Sequence, residues 1–296
     1  MLLNYHLLDV FTDQQLAGNP LAVVLKADNL SSEMMQKIAR EFALSETVFL
    51  TNPLIGRHTS AARIFTPNME LPFAGHPTIG AAVLLGLQQR AIAIRLEEKI
   101  GLITCVMERI DKKTGEARFK LPKTPEETGP APDTAAIAGT LGISPEEIGF
   151  DDWKPARFSA GLEFTLVPVR DREVLASIVL ERRGWADVYG KVHGAVYVFT
   201  KTRREQNVDF RARMFEPDLV GGEDPATGSA AAALIGLIAQ HERERNGQKL
   251  YRIYQGVEMG RPSLIEIQVG IEDGILVHGG IGGKAVLVGN GTLDLN

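Results

Sequence analysis

Residues 62–68 read ARIFTPN, and residues 212–218 read ARMFEPD. Each block joins strand-forming residues to a turn that contains proline, which predicts a strand ending in a turn. Farther along the chain, HPTIGAA at residues 76–82 matches DPATGSA at residues 224–230 in the same order. The sequence therefore contains an internal repeat, which indicates two halves of similar architecture.

Each copy of the repeat also predicts a helix that is rich in alanine and glycine, from Pro77 to Leu87 and from Pro225 to about Gln240. Such small residues suit a helix inside a shell of strands. A helix N-terminus carries unpaired N–H groups and a positive partial charge, which favours a carboxylate. Two such ends facing each other would form a pocket for an acidic substrate between the halves. The alternative is two core helices with ordinary caps.

The composition is that of a globular protein with more than one core. A chain of 296 residues favours two domains, and its 44% hydrophobic and 23% charged residues are typical of a folded protein. The net charge of -5 and the pI near 5.8 provide no broad cationic field. We therefore expect a small-molecule substrate, with no nucleic-acid or membrane partner.

The cysteine count and the N-terminal sequence indicate the cellular compartment of the protein. Cys105 is the only cysteine, so an internal disulfide is impossible, and Asp9 interrupts the first apolar run where a signal sequence would continue. No apolar run approaches the length of a membrane helix. The sequence predicts a cytoplasmic protein.

Several ordered motifs carry a family resemblance. They are GNPLAVV at 18–24, SET at 45–47, GHPT at 75–78, GEDPATGS at 222–229 and MGRPS at 259–263. In these motifs the chain resembles the PhzF family of phenazine-biosynthesis isomerases, over nearly its whole length. The resemblance implies an α+β, diaminopimelate epimerase-like fold with two pseudo-symmetric domains, each a curved and mostly antiparallel sheet around a central helix. It also implies a homodimer and catalysis without a cofactor.

The domain boundaries follow from the repeat and from a proline-rich stretch. Four prolines fall within residues 122–133, which predicts a linker there. The N-terminal domain is then expected over residues 1–121, completed by the C-terminal strand at about 284–296. The C-terminal domain is expected over residues 134–283.

The resemblance also assigns the site. The family's glutamate, which shuttles the proton, falls on Glu46, and the histidine, aspartate and serine around the substrate fall on His76, Asp224 and Ser229. Gly75 and Gly228 are expected to allow close approach of the backbone. The predicted site residues are Glu46, His76 and Asp224 as catalytic groups and Gly75, Gly228 and Ser229 as substrate-binding groups.

The predicted chemistry is a double-bond isomerisation of a small carboxylic acid, with Glu46 as general acid and base. Such a reaction needs one group that accepts a proton and returns it at another carbon, and a carboxyl group between apolar neighbours suits that task. From the residues alone, Glu46 could equally be a solvated or capping side chain. His76 could be a loop or capping residue, Asp224 an N-cap and Ser229 a small packing residue.

Other chemistries have less support. The histidines other than His76 show no metal-ligand spacing, so no metal is predicted. They are His6, His58, His193, His241 and His278. The run GGIGG at 279–283 lacks the helix of a dinucleotide site and predicts a hairpin connection. A two-cysteine racemase is excluded by the single thiol. A non-catalytic binding or interaction protein on the same fold remains an alternative.

Overall fold

The computed structural model describes residues 1–190, 194–202 and 207–295. The chain divides into two compact units, one formed by Met1–Pro122 with Gly282–Asn296 and the other by Lys123–Ile281. Within the described residues, no helix is long and apolar enough to cross a membrane. Of the histidines considered above, His193 lies outside the described residues.

The first unit is mostly strand. Its helices are α1 (Ser32–Phe42) and α2 (Gly75–Gln89). Its strands are β1 (Leu2–Val10), β2 (Asn19–Val24), β3 (Glu46–Thr51), β4 (Ser60–Phe65), β5 (Glu70–Leu71), β6 (Ala93–Glu98), β7 (Gly101–Arg109) and β8 (Thr114–Lys120). A final strand, Ile275–Asp294, contributes its residues from Gly282 onward.

The strands of the first unit close into a barrel. Strand β1 pairs with β2 and with the final strand, and β2 then pairs in parallel with β3. The order continues through β4, β6, β7 and β8, and β8 pairs with the final strand. Because every barrel edge is paired, the interior is sealed. Helix α2 packs against six of these strands and is buried from Gly75 through Leu87.

The small residues of α2 allow this close packing. A Cβ atom on Gly80 would lie 2.4 Å from Cδ2 of Leu21 and 2.9 Å from Cγ2 of Val10. Both distances are shorter than a van der Waals contact, so any side chain at this position would displace the barrel wall. The prediction of a small-residue helix inside a shell of strands holds for α2.

The second unit contains four α-helices in its described residues. They are α3 (Thr134–Leu141), α4 (Arg172–Ser177), α5 (Trp185–Tyr189) and α6 (Gly228–His241). Its strands are β9 (Glu126–Gly129), β10 (Ala156–Ser159), β11 (Glu163–Pro168), β12 (Val196–Lys201), β13 (Phe210–Phe215), β14 (Glu223–Asp224), β15 (Gly247–Gln255) and β16 (Ser263–Glu272), followed by β17 (Ile275–Asp294), the final strand named above.

The strand pairings of the second unit follow the order found in the first. The pairs β11–β12 and β13–β15 are parallel, whereas β12–β13 and β15–β16 are antiparallel. The pairs β2–β3, β4–β6, β3–β4 and β6–β7 have the same directions. Helix α6 packs against β9, β10, β11 and β16, and its apolar side chains are buried. The sequence repeat therefore corresponds to a repeated order of strand pairings.

The repeat also contains an ion pair in each copy. Arg63 donates to both carboxylate oxygens of Glu70 at 2.7 and 2.9 Å, and Arg213 donates to both oxygens of Glu223 at 2.8 Å. Arg213 also donates to the carbonyl oxygens of two residues of the adjoining loop and helix, at 3.1 Å each. These bidentate pairs fix the short strands β5 and β14 against β4 and β13.

We expect Glu223→Ala to destabilise the protein strongly, because it leaves the guanidinium of Arg213 buried without its counter-charge. The Arg213 side chain is 9% exposed, and removing one partner of a buried pair costs about 3–5 kcal/mol. Glu70→Ala is the matched control, with a smaller expected loss since Arg63 is 29% exposed. Urea denaturation of both variants measures the difference, and equal losses would contradict the prediction.

The predicted linker at residues 122–133 is partly wrong. Glu126–Gly129 form strand β9, which pairs with β10 at Glu127 and Phe158. Pro125 and Pro130 lie on either side of this strand and remove hydrogen-bond donors only at their own positions, so four residues between them remain able to pair.

The predicted hairpin at residues 279–283 is wrong. The glycine-rich run lies inside β17, and none of its glycines has a positive φ angle. A Cβ atom on Gly282 would lie 3.1 Å from Cβ of Arg118 in β8. Glycine at this position is explained by close approach of a neighbouring strand rather than by a turn.

A helix N-terminal signal at Ser144 is followed by only a short helical segment. Ser144 and Glu147 form a capping box, but the helical segment is one 3-10 turn, Pro145–Glu147. Gly149 follows with a φ angle of 101°, which a helix cannot accommodate. The capping box therefore begins a helical segment that ends within one turn.

Candidate active site

Glu46 is the first residue of β3, where the parallel pairing with β2 places it opposite Leu21. Its side chain is 17% exposed, although the following residues of the strand are buried. The start of the strand thus places a carboxyl group at the end of the sheet instead of in its middle. Glu46 is not a freely solvated surface residue.

His76 meets Glu46 at the start of α2. Nδ1 of His76 lies 3.3 Å from Oε2 of Glu46, and the histidine side chain is 4% exposed. Nε2 of His76 is buried and has no hydrogen-bond partner among the described residues. One ring nitrogen therefore faces the carboxyl group, and the other has no partner in the part of the chain that the structure describes.

The imidazole of His76 is neutral. Burial lowers the pKa of His76 from 6.5 to about 3. Its contact with Glu46 has the spacing of an ion pair, yet the buried histidine carries no positive charge at neutral pH. His76 can therefore donate or accept a hydrogen bond, but it does not supply a proton as an imidazolium.

The N-termini of the two central helices have no side-chain caps. Ala74 is the N-cap of α2 and Thr227 is the N-cap of α6, and neither side chain accepts a hydrogen bond from its helix. Neither first turn contains an acidic residue. The outer helices differ, since Ser31, Asp133 and Asp171 cap α1, α3 and α4. Only α2 and α6 among these five helices leave first-turn N–H groups without a side-chain cap, which suits an anion.

Asp224 belongs to the second unit and lies in a buried hydrogen-bond network. The Thr227 hydroxyl donates to Oδ2 of Asp224 at 2.5 Å. Gln255 donates from Nε2 to the Asp224 carbonyl oxygen at 2.8 Å and lies 3.1 Å from the Thr227 hydroxyl oxygen. Tyr197 donates its hydroxyl to Oε1 of Gln255 at 3.1 Å. The network holds the Asp224 carboxyl group in one orientation.

The orientation of the Gln255 amide is fixed by its partners. The backbone N–H of Thr227 can only donate and lies 3.1 Å from Oε1, whereas the carbonyl of Asp224 can only accept and faces Nε2. Burial raises the pKa of Tyr197, and the charge of Asp224 raises it further, so the phenol keeps its proton. Every polar atom of the Gln255 side chain is used.

The remaining predicted residues lie at the two helix starts. Gly75 is the first residue of α2 and Gly228 is the first residue of α6, and both are buried. Ser229 follows in the first turn of α6 and is partly exposed. The predicted start of α6 at Pro225 is wrong by three residues, because Asp224 lies in β14 and Thr227 is the cap.

The two copies of the repeat therefore differ at the N-termini of their helices. His76 lies inside the first turn of α2, whereas Asp224 precedes its helix. Glu46, Gly75 and His76 belong to the first unit, and Asp224 and the residues of α6 belong to the second. The structure brings Glu46 and His76 together, and it brings Asp224 together with Thr227 and Gln255.

Other reactive groups are poorly placed for chemistry. Cys105 is buried in β7, and burial raises the pKa of its thiol. In residues 1–190, 194–202 and 207–295, no three His, Cys, Asp or Glu side chains are grouped so as to hold a metal ion.

Thr227 and Gln255 were not predicted from the sequence. Thr227 stands within the second copy of the repeat, where its position three residues after Asp224 was a usable signal. Gln255 ends strand β15, 31 residues after Asp224, and no motif links the two. The parallel pairing of β15 with β13 brings Gln255 to the N-terminus of α6.

The family model for phenazine biosynthesis-like proteins, PhzC-PhzF, matches residues 8–291. The chain belongs to the PhzF family. The match includes both repeat copies and all six predicted site residues, so the predicted family is confirmed.

Known members of the PhzF family are similar over full length. An uncharacterized isomerase of Mesorhizobium japonicum is 42% identical over 98% of each chain. The trans-2,3-dihydro-3-hydroxyanthranilate isomerase of Pseudomonas fluorescens is 34% identical over 99% of each chain. The crystal structure of a PhzF-family protein from Bacillus anthracis superposes with a TM-score of 0.88 over 100% of both chains at 22% identity, which shows a shared fold. The chain is a PhzF-family isomerase.

Proposed function

We propose that this isomerase moves a double bond in a small carboxylic acid by proton transfer, with Glu46 as general acid and base and without a cofactor. The observation that carries the proposal is the contact of Glu46 with buried, neutral His76 at the start of an uncapped helix. Glu46 removes a proton from one carbon and delivers it to another as the double bond shifts, so the substrate and product have the same composition.

His76 has two parts in the proposed reaction. Nδ1 faces Glu46 and orients its carboxyl group, and Nε2 is the group that contacts the substrate. Because His76 is neutral, it acts through hydrogen bonds and leaves the proton transfer to Glu46. A buried donor or acceptor that lacks a partner in the protein gains one when the substrate binds, which favours binding.

The substrate carboxylate is proposed to bind at the uncapped helix starts, with Gly75, Gly228 and Ser229 as contacts and Asp224 as the third catalytic group. The N–H groups of a first turn favour negative charge. The repeated strand pairings support two pseudo-symmetric domains, as in the diaminopimelate epimerase-like fold. We also propose a homodimer and a cytoplasmic location.

A turnover assay tests the function. The purified protein is incubated with trans-2,3-dihydro-3-hydroxyanthranilate, the substrate named for the P. fluorescens relative, and with other small unsaturated carboxylic acids. NMR spectra then follow the position of the double bond. We expect one class of acid to be converted to an isomer of equal mass.

The alternative is a binding protein that keeps the fold and the pocket without catalysis. It predicts that a carboxylic acid binds, as seen by calorimetry, and that no isomer forms at any enzyme concentration. Binding without turnover, unchanged in Glu46→Gln, would support this alternative and refute the proposed role of Glu46.

A further inference from the structure

Glu98 is a buried acid that the proposed reaction does not use. It ends strand β6 and is 7% exposed. Oε1 of Glu98 lies 2.7 Å from the hydroxyl oxygen of Thr78, which stands two residues after His76 in α2. Oε2 has no hydrogen-bond partner, and no ion pair reaches Glu98 within the part of the chain that the structure describes. A carboxylate in this setting would be buried without a counter-charge.

The Thr78 hydroxyl has only one hydrogen for two oxygen neighbours. Its oxygen lies 2.8 Å from the carbonyl oxygen of Ala74, which can only accept a hydrogen bond, and 2.7 Å from Glu98. If Glu98 were ionised, both neighbours would compete for this hydrogen and one short contact would lack a proton. If Glu98 is protonated, it donates to Thr78 and Thr78 donates to Ala74. Only the protonated acid satisfies both contacts.

The second copy of the repeat has an amide at the equivalent position. Ala61 pairs with Glu97 in the parallel pair β4–β6, and Arg211 pairs with Tyr254 in the parallel pair β13–β15. Because ARIF at residue 62 aligns with ARMF at residue 212, the next residues along, Glu98 and Gln255, are equivalent. Gln255 is neutral, and its NH₂ group donates to the hydroxyl oxygen of Thr227, which lies one position later in the repeat than the equivalent of Thr78.

We propose that Glu98 is held as a neutral carboxylic acid that donates its proton to Thr78 and thereby positions the first turn of α2, which carries His76. Glu98 is thus a positioning residue, the acid counterpart of the Gln255 amide. Its importance for catalysis rests on the proposed function of His76, whereas its protonation state does not.

The surroundings of Glu98 agree with a neutral acid. Burial raises the pKa of Glu98 from 4.5 to about 8, and the hydrogen bond with Thr78 opposes this only in part. Thr78 faces it from α2 and the Cys105 thiol is its titratable neighbour on β7. Since the folded state holds the proton more tightly than the unfolded state, the stabilisation is fully present below pH 4.5 and is lost as the pH rises through about 8.

Glu98→Gln and the wild type are compared by thermal unfolding from about pH 5 to about pH 9. We expect the melting temperature of the variant to exceed that of the wild type by an amount that grows over this range. Glu108→Gln, which changes an exposed glutamate on β7, is the matched control and should show no growing difference. A constant offset for Glu98→Gln would overturn the proposal.

The protonation state can be observed directly in the wild type. With ¹³C-labelled glutamate carboxyl groups, NMR should show one signal that titrates near pH 8 and is absent from Glu98→Gln. If that variant does not fold, Thr78→Val assigns the same signal by shifting it. Titration of the Glu98 signal near 4.5 would refute the neutral acid, whether or not a substrate has been found.

The positioning role has its own readout. At neutral pH we expect Glu98→Leu to lower kcat by about tenfold, because the donor to Thr78 is lost, and Glu98→Gln to restore most of it. The fall of kcat at alkaline pH should also be weaker in Glu98→Gln than in the wild type. Equal kcat values for the Leu and Gln variants would contradict a positioning role. The NMR titration of Glu98 would still show whether its carboxyl group is charged.

Discussion

Glu46→Gln is expected to lower kcat by about 10²- to 10⁴-fold, the usual contribution of a general acid and base. The amide keeps the size and the hydrogen-bonding capacity of the side chain beside His76, but it cannot accept a proton from carbon. Since burial lowers the pKa of His76 to about 3, its imidazole is a weak base, and we do not expect it to replace the lost carboxylate. Steady-state kinetics with the substrate found in the turnover assay measure this loss.

Two controls show whether the loss reflects chemistry. Glu41→Gln changes an exposed glutamate of the nearby helix α1 and should retain kcat. The Glu46→Gln protein should also bind the substrate with a Kd within severalfold of the wild type, because the amide preserves the contact with His76. Retention of kcat in Glu46→Gln would show that another group moves the proton.

Gln255→Glu is expected to destabilise the protein by about 1–3 kcal/mol or more, the cost of a buried polar group that loses its partner. An ionised carboxylate at this position cannot donate to the Asp224 carbonyl, and it also loses its donation to the Thr227 hydroxyl, which keeps its own hydrogen bond to Asp224. The new charge also lies close to the Asp224 carboxyl group, which adds repulsion. Chemical denaturation near neutral pH measures the loss.

Glu98→Gln, the reverse exchange at the equivalent position, is the matched control for Gln255→Glu. We expect it to be neutral or stabilising near neutral pH, since the amide replaces an acid that is already uncharged. The two exchanges should therefore have opposite effects on stability, although both convert one group into the other. Full tolerance of Gln255→Glu would contradict the interpretation that the amide holds Asp224 and Thr227.

Much of the fold could be predicted because its local signals are strong. The strands predicted from the two repeat blocks are β4 (Ser60–Phe65) and β13 (Phe210–Phe215), and the helix predicted from Pro77 to Leu87 lies within α2. In these segments the side-chain pattern and the final packing favour the same structure. The repeat added long-range information, because two similar motifs indicated two similar strand–helix units.

The predictions failed where neighbours in space decide the outcome. The glycines at 279–283 have the composition of a turn, yet they continue β17, where β8 approaches Gly282 closely. Helix α6 begins at Gly228 and not at Pro225 as predicted, because β14 pairs with β13 and keeps Asp224 extended. A sequence pattern does not contain these contacts, so its local preference is overridden.

The residues of the candidate site were likewise predicted only in part. Glu46 and His76 were predicted from family motifs, and the structure places them in contact. Glu98 and Gln255 carry no motif, since each is an ordinary polar residue at the end of a strand. Their roles depend on parallel strand pairs that bring residues distant in sequence to the N-terminus of α2 or α6. Aligning the pairing registers of the two halves was needed to recognise them as equivalent.

The most direct measurement is the fate of the proton that Glu46 is proposed to carry. The wild type and Glu46→Gln are each incubated with the converted acid in deuterated water, and NMR locates any deuterium in the product. If Glu46 carries the proton, the wild type forms the isomer, and any deuterium lies at the one carbon that receives the proton, in proportion to the exchange of Glu46 with solvent before delivery, whereas Glu46→Gln forms almost no isomer. Isomerisation by Glu46→Gln at the wild-type rate, or deuterium at other carbons of the wild-type product, would contradict Glu46 as the proton carrier.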